Sequence, residues 1–153
     1  MDRINQSDDQ RFNRVYFDRN LNSLFAIETY RLTGGMNTRQ QGNKAWDQWV
    51  FFTVNHPVVA YETLLGRFFG NFRNENNPVA IEENALSSGD TDFGNAIGAL
   101  KVDLKSVPRE TMHAIFRLGV IGKEQFQGKR ETVTRRFNTA GEARLVVEKV
   151  RQK

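Results

Sequence analysis

Histidine and cysteine, two side chains that often carry acid–base or metal chemistry, are scarce in this 153-residue chain. It has two histidines, His56 and His113, and neither has a second histidine three or four residues away, as a zinc-binding helix would need. Cysteine is absent, which excludes disulfides, thiol nucleophiles and cysteine-ligated zinc. We therefore expect His56 at a helix start and His113 on a helix surface. The sequence predicts no metal ion and no other cofactor.

Acidic pairs and glycine motifs also differ from the patterns of known catalytic sites. Asp90 and Asp92 supply too few oxygen ligands for a calcium loop, and the glutamates at residues 82–83 are typical of a solvated loop. The Asp-Phe-Gly triplet at residues 92–94 matches a kinase metal-binding motif, but no glycine-rich phosphate loop precedes it. Residues 119–123 lack the glycine spacing of a phosphate-binding loop. The sequence therefore predicts a protein that is not an enzyme.

Cations are concentrated towards the C-terminus. The chain carries 22 Lys and Arg against 18 Asp and Glu, a net charge of +4. Nine of the cations and four of the anions fall in residues 122–153, so the preceding residues are close to neutral. A basic region beside a neutral body is typical of proteins with an anionic partner. The candidate nucleic-acid contacts in this region are Lys129, Arg130, Arg135, Arg136, Arg144 and Lys149.

A second candidate binding segment combines cations with aromatic rings. Residues 67–73 read RFFGNFR, so Arg67 and Arg73 enclose three phenylalanines. Single-stranded nucleic acids are bound by cations that contact phosphates and by flat side chains on which bases stack. Arg67 and Arg73 are therefore further candidate contacts. The phenylalanines also fit the apolar stripe of a core helix, and that alternative stays open.

Helix signals dominate the first half of the chain. A cap at residues 7–10 opens a helix that ends at the glycines of residues 34–35. A second helix is predicted over about residues 38–52, although the β-forming residues 50–54 leave a short strand as an alternative. A third helix spans residues 55–72, where an Asn-His-Pro start precedes apolar residues three and four positions apart.

The second half continues with a long loop and further helices. Residues 73–91 are rich in Asn, Ser, Pro and Gly and predict the loop. A helix then runs from Asp92 to Pro108, a shorter one follows it, and Thr139 with Glu142 forms a capping box that opens the last helix. The predicted fold is an all-α bundle of about six helices in a single domain, residues 1–153, with a basic C-terminal region.

The N-terminus and the hydropathy pattern predict location. The chain begins polar and acidic, unlike a secretory signal, and no segment reaches the roughly 18 apolar residues that span a bilayer. We expect a cytoplasmic protein, or a virion protein in a host cytoplasm if it is viral, with no membrane contact.

Parts of the chain resemble the coat proteins of rod-shaped plant viruses of the tobacco mosaic type. The similarity rests on segments 64–68 (LLGRF) and 72–74 (FRN), and three other segments, 35–49, 92–100 and 117–126, occur in the same chain order as their counterparts in that family. The resemblance implies a four-helix bundle that stacks into a helical rod around single-stranded RNA. It also implies that Arg73, the following loop and Asp92 face the RNA.

Charge and resemblance together predict the function. The chain is expected to be a non-enzymatic helical protein that self-associates into homo-oligomers and binds nucleic acid, with single-stranded RNA favoured. A viral coat or nucleocapsid protein is the specific form of this prediction. The alternative is a protein-interaction adaptor whose basic face docks an acidic partner.

Overall fold

The computed structural model describes residues 13–28, 31–32, 43–44, 47–105 and 107–152. The predicted helix cap at residues 7–10 and the glycines of residues 34–35 lie outside these ranges. In chain order the described elements are β1 Asn13–Asp18, β2 Ser23–Glu28, β3 Arg31–Leu32, β4 Asn43–Lys44, β5 Gln48–Val54, β6 Val58–Leu64, α1 Leu65–Phe69, α2 Val79–Glu82, β7 Ala96–Val102, β8 Phe116–Gly122, α3 Lys123–Arg135 and α4 Ala140–Arg151.

The described strands form antiparallel sheets in a layered arrangement. The largest sheet has four strands in the order β1-β2-β5-β8, and β6 pairs with β7 in a two-stranded sheet. Strands β3 and β4 form a further short pair. Helix α3 packs against β5 and β8, whereas β6 and β7 contact β1. The four-stranded sheet therefore lies between a helix and a second sheet.

Two hydrophobic clusters lie on opposite faces of the four-stranded sheet. Phe25 of β2, Phe51 of β5 and Phe126 of α3 belong to the cluster under the helix. The neighbouring Leu24 belongs to the other cluster, with Tyr61 of β6. Successive side chains of a strand point to opposite faces, so adjacent residues of β2 fill both layers. This placement explains why both Leu24 and Phe25 are buried.

The two sheets approach closely at β6 and β7. The rings of Phe17 in β1 and Tyr61 in β6 stack with centroids 4.7 Å apart. A Cβ atom added to Gly98 of β7 would lie 3.5 Å from Phe52 and 3.6 Å from a side-chain atom of Leu24. These contacts fix β6, and the segments that follow it, against the larger sheet.

The predicted all-α bundle is wrong, and the first predicted helix shows the reason. Residues 13–28 form a hairpin of β1 and β2 instead of a helix. The side chain of Asp18 accepts hydrogen bonds from the backbone nitrogens of Asn20 and Leu21, and Asn22 adopts φ 51°. Asp and Asn favour such turns through these local bonds. The Asp-Arg-Asn-Leu-Asn sequence is thus a turn within a run of apolar residues that also fits helical spacing.

Strands also replace most of the next two predicted helices. Residues 48–54 form β5, so the strand alternative for this region is the correct one. The helix predicted for residues 55–72 is wrong, because β6 occupies residues 58–64 and only the short α1 follows it. Tyr61, Glu62 and Thr63 are all buried, which requires a strand covered on both faces.

The C-terminal third is part strand and part helix. The predicted helix from Asp92 to Pro108 is replaced by β7, and the shorter predicted helix after it by irregular chain and β8. The last predicted helix is confirmed as α4. Its capping box is formed by Thr139 and Glu142 as the sequence indicated. The loop region of residues 73–91 contains the single-turn helix α2.

Candidate functional site

Residues 87–91 are held between the two sheets by backbone hydrogen bonds. The nitrogen of Ser88 donates to the carbonyl oxygen of Tyr61 in β6 at 2.8 Å. Thr91 exchanges two backbone hydrogen bonds with Val15 of β1, at 2.7 and 2.8 Å. The side chain of Asp90 accepts from the hydroxyl of Tyr61 at 3.0 Å. This segment is therefore fixed on both sides although it belongs to neither sheet.

A buried carboxylate lies beside this segment. The side chain of Glu62 is only 2% exposed. Its Oε1 accepts hydrogen bonds from the backbone nitrogens of Thr63 and Leu64, at 2.9 and 3.1 Å, and Oε2 accepts one from the nitrogen of Ser87 at 3.3 Å. Burial alone would raise the pKa of Glu62, but hydrogen bonds from Ser87, the backbone and Arg67 outweigh it and lower the pKa below its ordinary value of 4.5.

Arg67 joins the buried carboxylate to the fixed segment. Its Nε donates to Oε1 of Glu62 at 2.8 Å. Its Nη2 lies within hydrogen-bonding distance of Thr63 Oγ1, the carbonyl oxygen of Gly89 and Thr91 Oγ1, at 3.2, 2.8 and 3.1 Å. Arg67, predicted to contact nucleic acid, is thus an internal brace, although 37% of its side chain is exposed.

The two ends of the loop of residues 70–78 lie close together. A Cβ atom on Gly70 would lie 2.9 Å from Cγ1 of Val79, so the two ends of the loop touch. Arg73 forms an ion pair with Glu82 and donates to the carbonyl oxygen of Asn77 at 3.3 Å. Arg73, the other predicted RNA contact of this region, therefore holds the loop in shape.

Phe72 is fully exposed on this loop. Its relative exposure is 107%, so the ring contacts almost nothing of its own chain. Its φ is 61°, in the left-handed region that residues with a Cβ atom rarely adopt. The loop therefore displays an aromatic ring to solvent.

A cleft of about 460 Å³ runs beside this loop and beneath α1 and α2. Its volume falls within the ~300–1,000 Å³ range of small-ligand sites. Polar lining residues include Asn71, Glu83 and Ser87, together with Arg67. Val79, Ala80 and Leu86 supply apolar walls. The cleft therefore presents the amide of Asn71 and the carboxylate of Glu83 beside apolar walls.

The other predicted cations lie on α3, α4 and the turn between them. Arg135 pairs with Glu131 on the same helix at 3.0 Å, and Arg130 lies 3.9 Å from Asp18. The guanidinium of Arg136 lies 4.8 Å from the ring centroid of Phe137. Three further cations are exposed on these helices: Lys129, Arg144 and Lys149. Helix α3 packs against β5 and β8, whereas Arg67 and Arg73 belong to α1 and the loop after it.

Neither histidine contributes to the cleft. Nε2 of His56 donates to the carbonyl oxygen of His113 at 2.9 Å. His56 lies in the turn between β5 and β6, so its predicted place at a helix start is wrong.

Among the described residues, no group of three or more acidic or histidine side chains could hold a metal ion. Within the same residues, no helix has the length and apolar character needed to cross a membrane.

The sequence matches the family model of the glycosyl hydrolase 94 supersandwich domain over residues 1–152. The chain belongs to this family. A search of curated proteins gave no match. The antiparallel sheets that pack face to face agree with a supersandwich domain. The similarity to rod-shaped viral coat proteins is therefore misleading, and the predicted function as a virion protein that binds nucleic acid is wrong.

Two features of this supersandwich domain were not predicted from the sequence: the burial of Glu62 and the full exposure of Phe72. Glu62 reads as a surface charge because nothing in the sequence shows that β6 is covered on both faces. The sequence left Phe72 either as a stacking ring or as part of an apolar helix stripe, because its spacing from Phe68 is four residues. One available signal was the Gly70-Asn71 pair just before Phe72, which is typical of a turn.

Proposed function

We propose that this supersandwich domain is a non-catalytic accessory domain of a carbohydrate-active enzyme, and that it presents residues 70–91 in a fixed shape. One observation carries the proposal. Glu62, the buried carboxylate that lines the cleft, has a lowered pKa and accepts hydrogen bonds through both of its oxygens. Glycoside cleavage uses a carboxylic acid whose pKa is raised, so that it can protonate the leaving oxygen. Glu62 is suited to bracing a loop and unsuited to proton donation.

Three carboxylates of residues 82–92 support the same role. Asp90 accepts hydrogen bonds from Tyr61 and from the backbone nitrogen of Phe17. Asp92 pairs with Arg14 at 3.1 Å, and Glu82 pairs with Arg73. Each of these acidic groups ties one segment of the chain to another. The arrangement is that of a structural network.

An activity assay tests this proposal. The chain is incubated with a panel of aryl glycosides and neutral oligosaccharides, and released sugar is measured against a buffer blank. We expect no turnover above the blank from the wild type or from the Glu83→Gln and Asp90→Asn variants. Turnover by the wild type that either substitution abolishes would refute the non-catalytic role, because it would identify a working acid or base.

A further inference from the structure

The two edges of the four-stranded sheet differ in whether their backbone is covered. At the β1 edge, Thr91 exchanges two backbone hydrogen bonds with Val15, and the side chain of Asp90 accepts one from the nitrogen of Phe17. At the β8 edge, residues 116–121 bond to β5 alone within the described part of the chain. The outward N–H and C=O groups of β8 are therefore open to a further strand.

β8 lacks the features by which proteins protect an exposed strand edge. Such features are a very short strand, lysine, proline, a β-bulge or a covering segment. β8 spans seven residues, contains neither lysine nor proline, and pairs with β5 without a shift of register. Its one charged side chain, Arg117, donates to the carbonyl oxygen of Arg136 in its own chain. The edge is thus able to pair with another strand.

The face of β8 that points away from α3 is apolar and uncovered. Ile121 packs beneath α3, whereas Phe116, Leu118 and Val120 alternate along the other face and are all exposed. Leu118 also lines a cleft of about 460 Å³ between the two sheets, and the other residues that line this cleft are apolar or glycine. A strand added at this edge would place its side chains beside these three and remove apolar surface from water.

A second copy of β8 fits this edge when the two strands pair antiparallel about a two-fold axis through Leu118. Leu118 then lies opposite Leu118 of the second copy, and Phe116 opposite Val120 of the second copy. On the other face, each Arg117 lies opposite Gly119 of the second copy, so no like charges are opposed. The edge is therefore self-complementary in its apolar side chains and in its charge.

Neighbouring registers fit less well. A two-fold axis through Arg117 would set the two guanidinium groups opposite each other, and like charges in that position are destabilising. An axis through Gly119 would set Phe116 opposite Gly122 of the second copy and leave its ring without a cross-strand neighbour. The axis through Leu118 is the one that aligns all three apolar side chains.

We propose that β8 is a dimerisation edge, at which two copies of this chain join their four-stranded sheets into one continuous antiparallel sheet. A standard interface has about 20–30 residues a side, and the strand supplies only seven. The dimer is therefore weak, with a dissociation constant in roughly the micromolar range. The proposal does not rest on the accessory role, because the β8 edge is distant in the chain from residues 70–91.

Sedimentation velocity over a concentration series tests the edge. We expect the wild type to change from monomer to dimer below about 1 mM, since a micromolar dissociation constant gives mostly dimer there. Leu118→Lys opposes two like charges at the centre of the pair and should raise the dissociation constant at least about tenfold. Val150→Lys is the matched control, because Val150 is an aliphatic residue of α4 with similar exposure, 68% against 74% for Leu118, and should leave the constant unchanged.

A charge swap tests the register. Leu118→Lys and Leu118→Glu each oppose like charges when alone, whereas a mixed pair sets lysine against glutamate. The equimolar mixture should therefore dimerise more tightly than either variant alone. Circular dichroism checks that each variant is folded.

Three results would overturn the dimerisation edge. They are a wild type that stays monomeric over the whole series, a Leu118→Lys variant that dimerises as tightly as the wild type, and a mixture that dimerises no better than its components. Each of these would leave the non-catalytic role standing, because the glycoside assay measures turnover and not association.

Discussion

Replacing Glu62 by glutamine should destabilise the domain, because the amide cannot reproduce what the buried carboxylate does. Glutamine keeps an oxygen that can accept from the backbone nitrogens of Thr63 and Leu64. Its NH₂ group would face the nitrogen of Ser87, where two donors meet and neither is satisfied. The bond from Arg67 also loses its charge assistance.

The size of the effect follows from these two losses. A hydrogen bond to a charged group contributes about 1.5–3 kcal/mol, and a buried donor left without a partner costs about 1–3 kcal/mol. The exposed part of Arg67 is screened by solvent, which reduces the first contribution. We expect Glu62→Gln to lower the free energy of unfolding by about 2–3 kcal/mol at neutral pH.

The stability difference between wild type and Glu62→Gln should depend on pH. The pKa of Glu62 is lowered in the folded chain, so its contribution is complete above the ordinary pKa of 4.5 and is lost as the pH falls below that value. The stability gap between wild type and Glu62→Gln should therefore be widest at neutral pH. It should narrow as the pH falls through the lowered pKa of the folded state.

Urea denaturation followed by circular dichroism measures this gap at each pH. Glu83→Gln is the matched control, because Glu83 is an exposed carboxylate of the same cleft and its replacement should change stability little. The reasoning fails if Glu62→Gln is as stable as the wild type at neutral pH. It also fails if the gap is constant across the pH range, since the charge of Glu62 would then contribute nothing.

Three further substitutions test the packing and the helix cap. Gly119→Ala would place a Cβ atom 2.5 Å from the ring of Phe51, so we expect a loss of about 1–3 kcal/mol in urea denaturation, while Gly128→Ala in α3 meets nothing within 4 Å and should gain up to about 1 kcal/mol. Equal effects of the two alanines would contradict the placement of Phe51. Thr139→Ala removes a capping bond at the start of α4 and should cost that helix about 1 kcal/mol, seen as faster amide hydrogen exchange there. Unchanged exchange would show that the capping box contributes nothing to α4.

The features that the sequence predicted correctly are local ones. The capping box of α4 depends on Thr139 and Glu142, three residues apart, and both hydrogen bonds of the box are present. The strand alternative for β5 rested on a run of β-forming residues, and it was correct. In both cases the residues that decide the structure are neighbours in the chain. No distant contact was needed to interpret them.

The features that it did not predict depend on distant pairing. The sequence places Gly119 in a segment that was predicted to be helical or to follow a helix, but Gly119 lies opposite Phe51 in the neighbouring strand and leaves room for that ring. Its role is therefore defined by Phe51, a residue 68 positions away in the chain. Nothing close to Gly119 in sequence distinguishes such a space from the end of a helix.

The ion pairs of the candidate site also depend on residues that are distant in the chain. Arg67 and Arg73 were assigned to a nucleic-acid surface because both lie among phenylalanines. Each is paired with a glutamate, Arg67 with Glu62 and Arg73 with Glu82, and Glu82 had been assigned to a solvated loop. A cation is free for an external partner only if no acid of its own chain reaches it. That condition depends on how β6 and α2 fold back on the loop, so a count of charges along the sequence cannot establish it.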